Sequence, residues 1–216
     1  SVSGAGDLNG DGYDDIVVGA RRAAGAGNQK PSAGESHVIY GSAALPTAID
    51  LAVPGPGRTH IIGADTADFS GFAVSGAGDV NGDGFDDLLI GAHGGAGPGN
   101  TRASAGESYL IFGSASMPST IDLAVPGSFN VLLYGIVGDS SGFAVSGVGD
   151  VNGDGFDDVL IGAPGGNGKG YVVFGAATMP ASIDLGTLGS AGVTIFGADI
   201  GDSTVDVNSG GSAGGG

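Results

Sequence analysis

Cysteine and tryptophan are both absent from these 216 residues, and lysine and arginine together number only six. Each shortage removes a class of function. Without cysteine, no disulfide pattern reports on compartment. Six cations stand against 23 acids, for a formal charge of −17. Such a chain lacks the positive surface that a phosphate backbone requires, which argues against nucleic acid and against an acidic membrane surface. No apolar run approaches the ~20 residues of a membrane-spanning helix, which argues against membrane insertion. Lysine and glutamate, good helix formers, are scarce, and no stretch sustains a 3.6-residue period. Glycine, by contrast, is abundant at 48 residues, while the hydrophobic fraction is an ordinary 41%. The composition is globular, with glycine expected in turns, bulges and tight strand contacts.

One twelve-residue string occurs three times: DLNGDGYDDIVV at 7–18, DVNGDGFDDLLI at 79–90 and DVNGDGFDDVLI at 150–161. The copies divide the chain into unit one at 1–71, unit two at 72–142 and unit three at 143–198, followed by a tail at 199–216. The opening on Ser1, inside a repeat, is expected of a mature or trimmed piece of something longer. Each unit carries four short β-rich runs, which in unit two are 73–80, 87–91, 108–112 and 131–134, separated by clusters of Gly, Pro, Asn, Asp and Ser. The stretch holding Met117, Pro118 and Ile121 to Leu123 is predicted to form a turn or a single helical turn. Thr204 to Val207 reads as a short closing strand and Ser209 to Gly216 as a Gly/Ser linker. Four strands per repeat with turn-rich connections predicts an all-β chain of three four-stranded antiparallel blades of β-propeller type.

The repeated string has the spacing of a loop wrapped around a hard cation, and calcium is the natural candidate. Oxygen side chains fall at positions 1, 3, 5 and 9. The predicted ligands are Asp7, Asn9, Asp11 and Asp15 with the carbonyl of Tyr13. Their counterparts are Asp79, Asn81, Asp83 and Asp87 with the carbonyl of Phe85, then Asp150, Asn152, Asp154 and Asp158 with that of Phe156. Alternate residues point inward as the loop curls. Three carboxylates then face one another, so an empty loop should splay. An EF-hand needs Glu at position 12 between helices; here that position is Val18, Ile90 or Ile161, inside an apolar strand run. Asp14, Asp86 and Asp157, at position 8, are expected to point away, exposed to solvent or bonded behind the ligands rather than ligating. Three calcium ions would take the formal charge from −17 to −11. Weak loops of this kind work where calcium is millimolar, which favours an extracellular or cell-surface setting.

In an antiparallel blade the calcium loop and the connection between strands two and three lie at opposite ends. Five of the six basic residues, Arg21, Arg22, Lys30, Arg102 and Lys169, fall in or beside that second connection. A cationic rim facing an acidic partner or glycan is the resulting expectation.

The pairs Gly71-Phe72 and Gly142-Phe143, the Gly162-Ala163-Pro164 element and the Asp-rich loop between them make the units resemble FG-GAP repeats of the integrin alpha-subunit propeller. The resemblance covers nearly the whole chain up to about residue 198, although Arg21 and His93 stand where the third unit has Pro164. It implies a β-propeller with calcium in the hairpin between the first two strands of a blade, in extracellular proteins that bind other proteins or sugars. Family propellers hold about seven blades. Three leave the ring incomplete, so the chain is expected to be a fragment, to assemble with further copies, or to form an open array.

Nothing in the sequence assembles a catalytic group. In repeat register His37 matches Tyr109 and Tyr171, His60 matches Leu132 and Thr194, and His93 matches Pro164. Such variable positions do not hold a shared general base. Glu35 and Glu107 share a Gly-Glu-Ser turn where unit three has Lys169, so paired carboxylates are not repeated. No serine elbow or lysine-bearing phosphate loop occurs. The predicted function is a non-enzymatic, calcium-binding structural or adhesive module mediating protein interaction or self-assembly; the alternative is a glycan-binding, lectin-like propeller.

Overall fold

The computed structural model describes residues 1–53 and 55–197; the predicted closing strand and the Gly/Ser linker of the tail lie outside them. The described residues form fourteen strands and four single 3-10 turns, with no α-helix. Sheet one begins β1 (Val2–Gly6), β2 (Asp15–Ala20), β3 (Glu35–Ile39), β4 (Arg58–Ile62). Sheet two is built from β5 (Ala73–Gly78), β6 (Asp87–Ala92), β7 (Glu107–Ile111) and β9 (Val131–Tyr134), and sheet three from β10 (Ala144–Gly149), β11 (Asp158–Ala163), β12 (Lys169–Val173) and β14 (Gly192–Phe196). Within each sheet these four strands pair antiparallel in chain order.

Two further strands correct the expectation of four per blade. β8 (Thr120–Asp122) and β13 (Ser182–Asp184) occupy the stretch predicted as a turn. β8 adds in parallel to β4 of the preceding unit, with Ile121 opposite Ile61, and β13 adds in parallel to β9, with Ile183 opposite Leu133. The sheets therefore hold five, five and four strands. A strand edge left by one unit is covered by the next, and the isoleucine of each added strand is buried.

Packing follows the period-two alternation of a strand. Sheet two lies between the others, so both faces of its strands are covered. Leu88 and Ile90 on β6 join Val17, Val38 and Ile61 of sheet one in one core, and Leu89 on the same strand joins Val159 and Ile161 of sheet three in another. All of these side chains are fully buried. Sheet one has no such cover on its outward face, where Val2 and Ile16 are exposed; sheet three likewise exposes Val193 and Ile195. The first strands of the units, β1, β5 and β10, lie side by side. Their small residues permit this: a Cβ on Gly76 would sit 3.1 Å from the backbone of Ala5.

Four of the five residues of the predicted cationic rim are engaged within the chain, while Arg22 is exposed. Arg21 stacks on Phe72, the Lys30 ammonium donates to the Ala64 carbonyl, Arg102 pairs with Asp184, and Lys169 pairs with Asp139. Among the described residues no helix is long and apolar enough to cross a membrane.

Candidate metal centres

Each repeated string curls between the first two strands of a sheet, and its own side chains organise its backbone. In unit one, Asp7 Oδ1 accepts from the amide of Asp11 at 3.0 Å and Oδ2 from that of Gly12 at 2.8 Å. Asn9 Oδ1 accepts from Asp11 N and Asp11 Oδ1 from Tyr13 N. Units two and three repeat this set around Asp79, Asn81 and Asp83, and around Asp150, Asn152 and Asp154, with the amides of Phe85 and Phe156 as the last donors. Gly10 and Gly12 take φ of 72° and 88°, which a side chain would resist.

Position 9 is set apart. Asp15 is buried, accepting from Leu8 N at 3.0 Å and from Gly41 N, just beyond β3, at 2.8 Å. Asp87 and Asp158 are held the same way by Val80 and Gly113, and by Val151 and Gly175. Burial pushes the Asp15 carboxyl up to about 6 and that of Asp87 up to about 7, against the amides that favour the charged form. The nearby carboxylates at positions 1 and 5 add to the rise. Amides donated by Gly155 and its neighbours instead hold exposed Asp150 below the usual carboxylate range.

The structure places the side chains at positions 1, 3 and 5 around one curl and holds position 9 apart at the strand entry, so the three carboxylates of a loop do not all bring oxygens within 4.8 Å of one another. Tyr13, Phe85 and Phe156 lie on the rim of the curl. The donor set, three carboxylates, an amide oxygen and a main-chain carbonyl, suits a hard divalent cation. Among the described residues the negative charge gathered there meets no Lys or Arg, a setting that suits a divalent cation.

The side chain at position 8 turns away from its own loop, as expected, and in units two and three it serves the preceding loop instead. Asp86 does not point into solvent: its Oδ2 accepts the amide of Asp7, in the preceding unit, at 2.7 Å. Asp157 likewise accepts from Asp79 N at 2.9 Å. A Cβ on Gly6 would meet Asp86 Oδ2 at 2.1 Å, and one on Gly10 would meet the Phe85 ring at 2.5 Å. Gly78 and Gly82 receive Asp157 and Phe156 in the same way. Neighbouring loops are therefore latched, each by the Phe-Asp pair of the next unit. Asp14, in unit one, is exposed and accepts no amide from another unit among the described residues. The signal was present in the string, since position 8 is Asp in every copy, but its receiver lies more than 70 residues away.

The FG-GAP repeat family matches the chain at residues 1–39, 70–111 and 141–174, taking in all three loops. The chain belongs to the FG-GAP repeat family. It is similar to integrin alpha pat-2 of Caenorhabditis elegans, with 29% identity over 164 residues, which covers 73% of this chain and 12% of that protein. It is also similar to integrin alpha-3 of Cricetulus griseus and of Mus musculus, each 32% identical over 113 residues, covering 51% of this chain and 10% of theirs. The FG-GAP chain thus matches about a tenth of the length of these relatives.

Proposed function

We propose that this FG-GAP chain is a calcium-braced array of propeller-type blades, with 1–71, 72–142 and 143–198 as its units, acting as a non-enzymatic interaction module of a secreted or cell-surface protein. Three calcium ions are held, one per loop, by Asp7, Asn9, Asp11, Asp15 and the Tyr13 carbonyl and by their counterparts in units two and three. The observation that carries the reading is the thrice-repeated curl of carboxylates without a protein counter-charge. The integrin alpha relatives support a protein as the partner class. A site at ~100-fold saturation adds about 2.7 kcal/mol to folding, so three independent sites add roughly 8 kcal/mol, comparable with the whole stability of a domain. Chelation with EDTA is expected to lower the melting temperature strongly and added calcium to restore it. An unchanged melting curve would remove the ion from this account.

A second reading, self-assembly, is favoured by the two terminal faces. Unit three presents an exposed β14 edge, with Ile195 50% and Val151 56% exposed, whereas their counterparts Ile61, Leu133, Leu8 and Val80 are fully buried under the following unit. Unit one presents the matching parts. Residues 48–50 repeat the Ile-Asp segment of β8 and β13 but form no strand, and Ile49 is 37% exposed. In the register of β8 on β4, Ile49 of a second copy meets Ile195, Tyr13 covers Gly153, and Asp14 accepts from Asp150 N. Two copies joined at both ends supply six blades, within the 4–8 of closed propellers. Sedimentation analysis in calcium is expected to show a dimer that Ile49→Asp and Ile195→Asp each dissociate. A monomeric wild-type chain would refute this second reading alone.

A further inference from the structure

Unit one holds a group of side chains that its sister units lack. His37 on β3 and His60 on β4 are direct cross-strand partners, and Glu35 is two residues from His37, so all three project from one face of sheet one. Their rings stack at 4.6 Å between centroids, within 2° of parallel. Glu35 Oε2 lies 3.0 Å from His60 Nε2 and 4.0 Å from His37 Nε2. One ligand atom from each of the three falls within 4.8 Å of the others. In unit two the same positions are Glu107, Tyr109 and Leu132, where the Tyr109 hydroxyl donates to Glu107 Oε2 at 2.5 Å. In unit three they are Lys169, Tyr171 and Thr194, with Lys169 and Tyr171 both bound to Asp139. Neither sister position collects two imidazoles.

We propose that Glu35, His37 and His60 form a binding site for a borderline first-row transition-metal dication such as zinc, separate in place and in chemistry from the calcium loops. Two imidazole nitrogens with one carboxylate oxygen suit zinc, cobalt or nickel; calcium takes oxygen ligands. Metal–ligand bonds of about 2.0–2.1 Å in a tetrahedron place the donors about 3.3 Å apart. The present separations straddle that figure, so closure requires side-chain shifts of about 1 Å. The His60 side chain is 37% exposed on the outward face, which leaves the fourth position to water. The nearby Arg58 guanidinium is held by the Asp50 and Val53 carbonyls. The site lies at the end of the sheet opposite the loop, since Glu35 pairs with Ala20 and the loop enters β2 at Asp15.

The test is a titration of the calcium-saturated chain with cobalt chloride, followed by visible d–d absorption, and then with zinc chloride by calorimetry. The oligomeric state is fixed first by sedimentation, so failure to bind metal and failure to assemble are read separately. One equivalent of metal per chain is expected. Outer hydrogen-bond partners of metal ligands are worth 10–100-fold in affinity, so loss of a ligand is expected to cost more than about 100-fold. His37→Tyr and His60→Leu install residues that unit two carries at the same places, and Glu35→Gln keeps the side-chain shape. Binding lost in all three, with unchanged thermal unfolding in calcium, supports the site. Absence of a d–d band in the wild-type chain overturns it, as does affinity that survives these substitutions.

Discussion

Replacing Asp86 by Ala tests whether the acidic loops are mechanically joined. The carboxylate accepts the Asp7 amide at 2.7 Å in a half-buried setting. A hydrogen bond to a charged group contributes about 1.5–3 kcal/mol net. Loss of the carboxylate also relieves some repulsion among the neighbouring loop acids, which offsets part of this; with calcium bound that offset is small. The expected cost is about 2 kcal/mol. For a chain of this size 1 kcal/mol shifts the midpoint by about 2–4 °C, so Asp86→Ala is expected to lower Tm by about 4–8 °C in saturating calcium. Asp157→Ala breaks the second joint, through Asp79 N, and is expected to match it. Asp14→Ala is the internal control. It removes the same residue from the same loop position, but Asp14 is exposed and receives no amide from another unit, so its effect is expected to stay within about 0.5 kcal/mol. Scanning calorimetry of the three variants decides the matter. With Ile195→Asp in every variant to keep the chain monomeric, a fall for Asp14→Ala as large as for Asp86→Ala means that position 8 acts inside its own loop and the latch is wrong. Equal stability of Asp86→Ala and the wild type would also refute it.

Gly78→Ala and Gly149→Ala impose the same backbone strain, at φ of 74° and 69°, costing about 1 kcal/mol each. Only at Gly78 does the new Cβ meet Asp157 Oδ2, at 2.0 Å, whereas Gly149 has open space within one chain; in the Ile195→Asp background, which keeps the chain monomeric, denaturant titration is expected to show Gly78→Ala as the more destabilising by about 2 kcal/mol, the worth of the latch it displaces. Asp68 is buried, and burial followed by the charges of Glu107 and Asp65 raises its carboxyl to about 7. A folded-state value above the unfolded one means that the contribution of Asp68 to stability is fully present below about pH 4 and is lost as pH rises towards 7. Asp68→Asn is therefore expected to match the wild type near pH 4 and to exceed it at pH 8, as measured by urea midpoints; equal midpoints at both pH values would exclude the effect. Asp87→Asn removes a buried carboxylate from one of the proposed calcium loops while keeping its shape. The calcium-induced rise in Tm is expected to shrink by roughly one third, and an undiminished rise would take Asp87 out of the ligand set.

The strands and the curl of the loops were legible in the sequence because their causes are local. The fourth run of unit two, Val131–Tyr134, is a strand with the predicted bounds. Hydrogen bonds from Asp7, Asn9 and Asp11 reach amides no more than five residues away, so a twelve-residue string carries the information for its own shape. The third unit repeats both features with the same spacing. Other features depend on what the chain meets after folding. The Ile-Asp segment at Ile49, Ile121 and Ile183 is nearly the same three times, yet it is a strand only where a preceding sheet offers an edge, at β4 and at β9. Asp86 and Asp157 bind amides 79 and 78 residues away, while Asp14, identical in sequence, binds none from a preceding unit. His37 and His60 read only as positions that vary between units until the β3–β4 register set them side by side. Local hydrogen bonds and side-chain alternation are written in consecutive residues. The pairing of an edge, a latch or a ligand requires a second segment, and only the packing of one unit against the next supplies it.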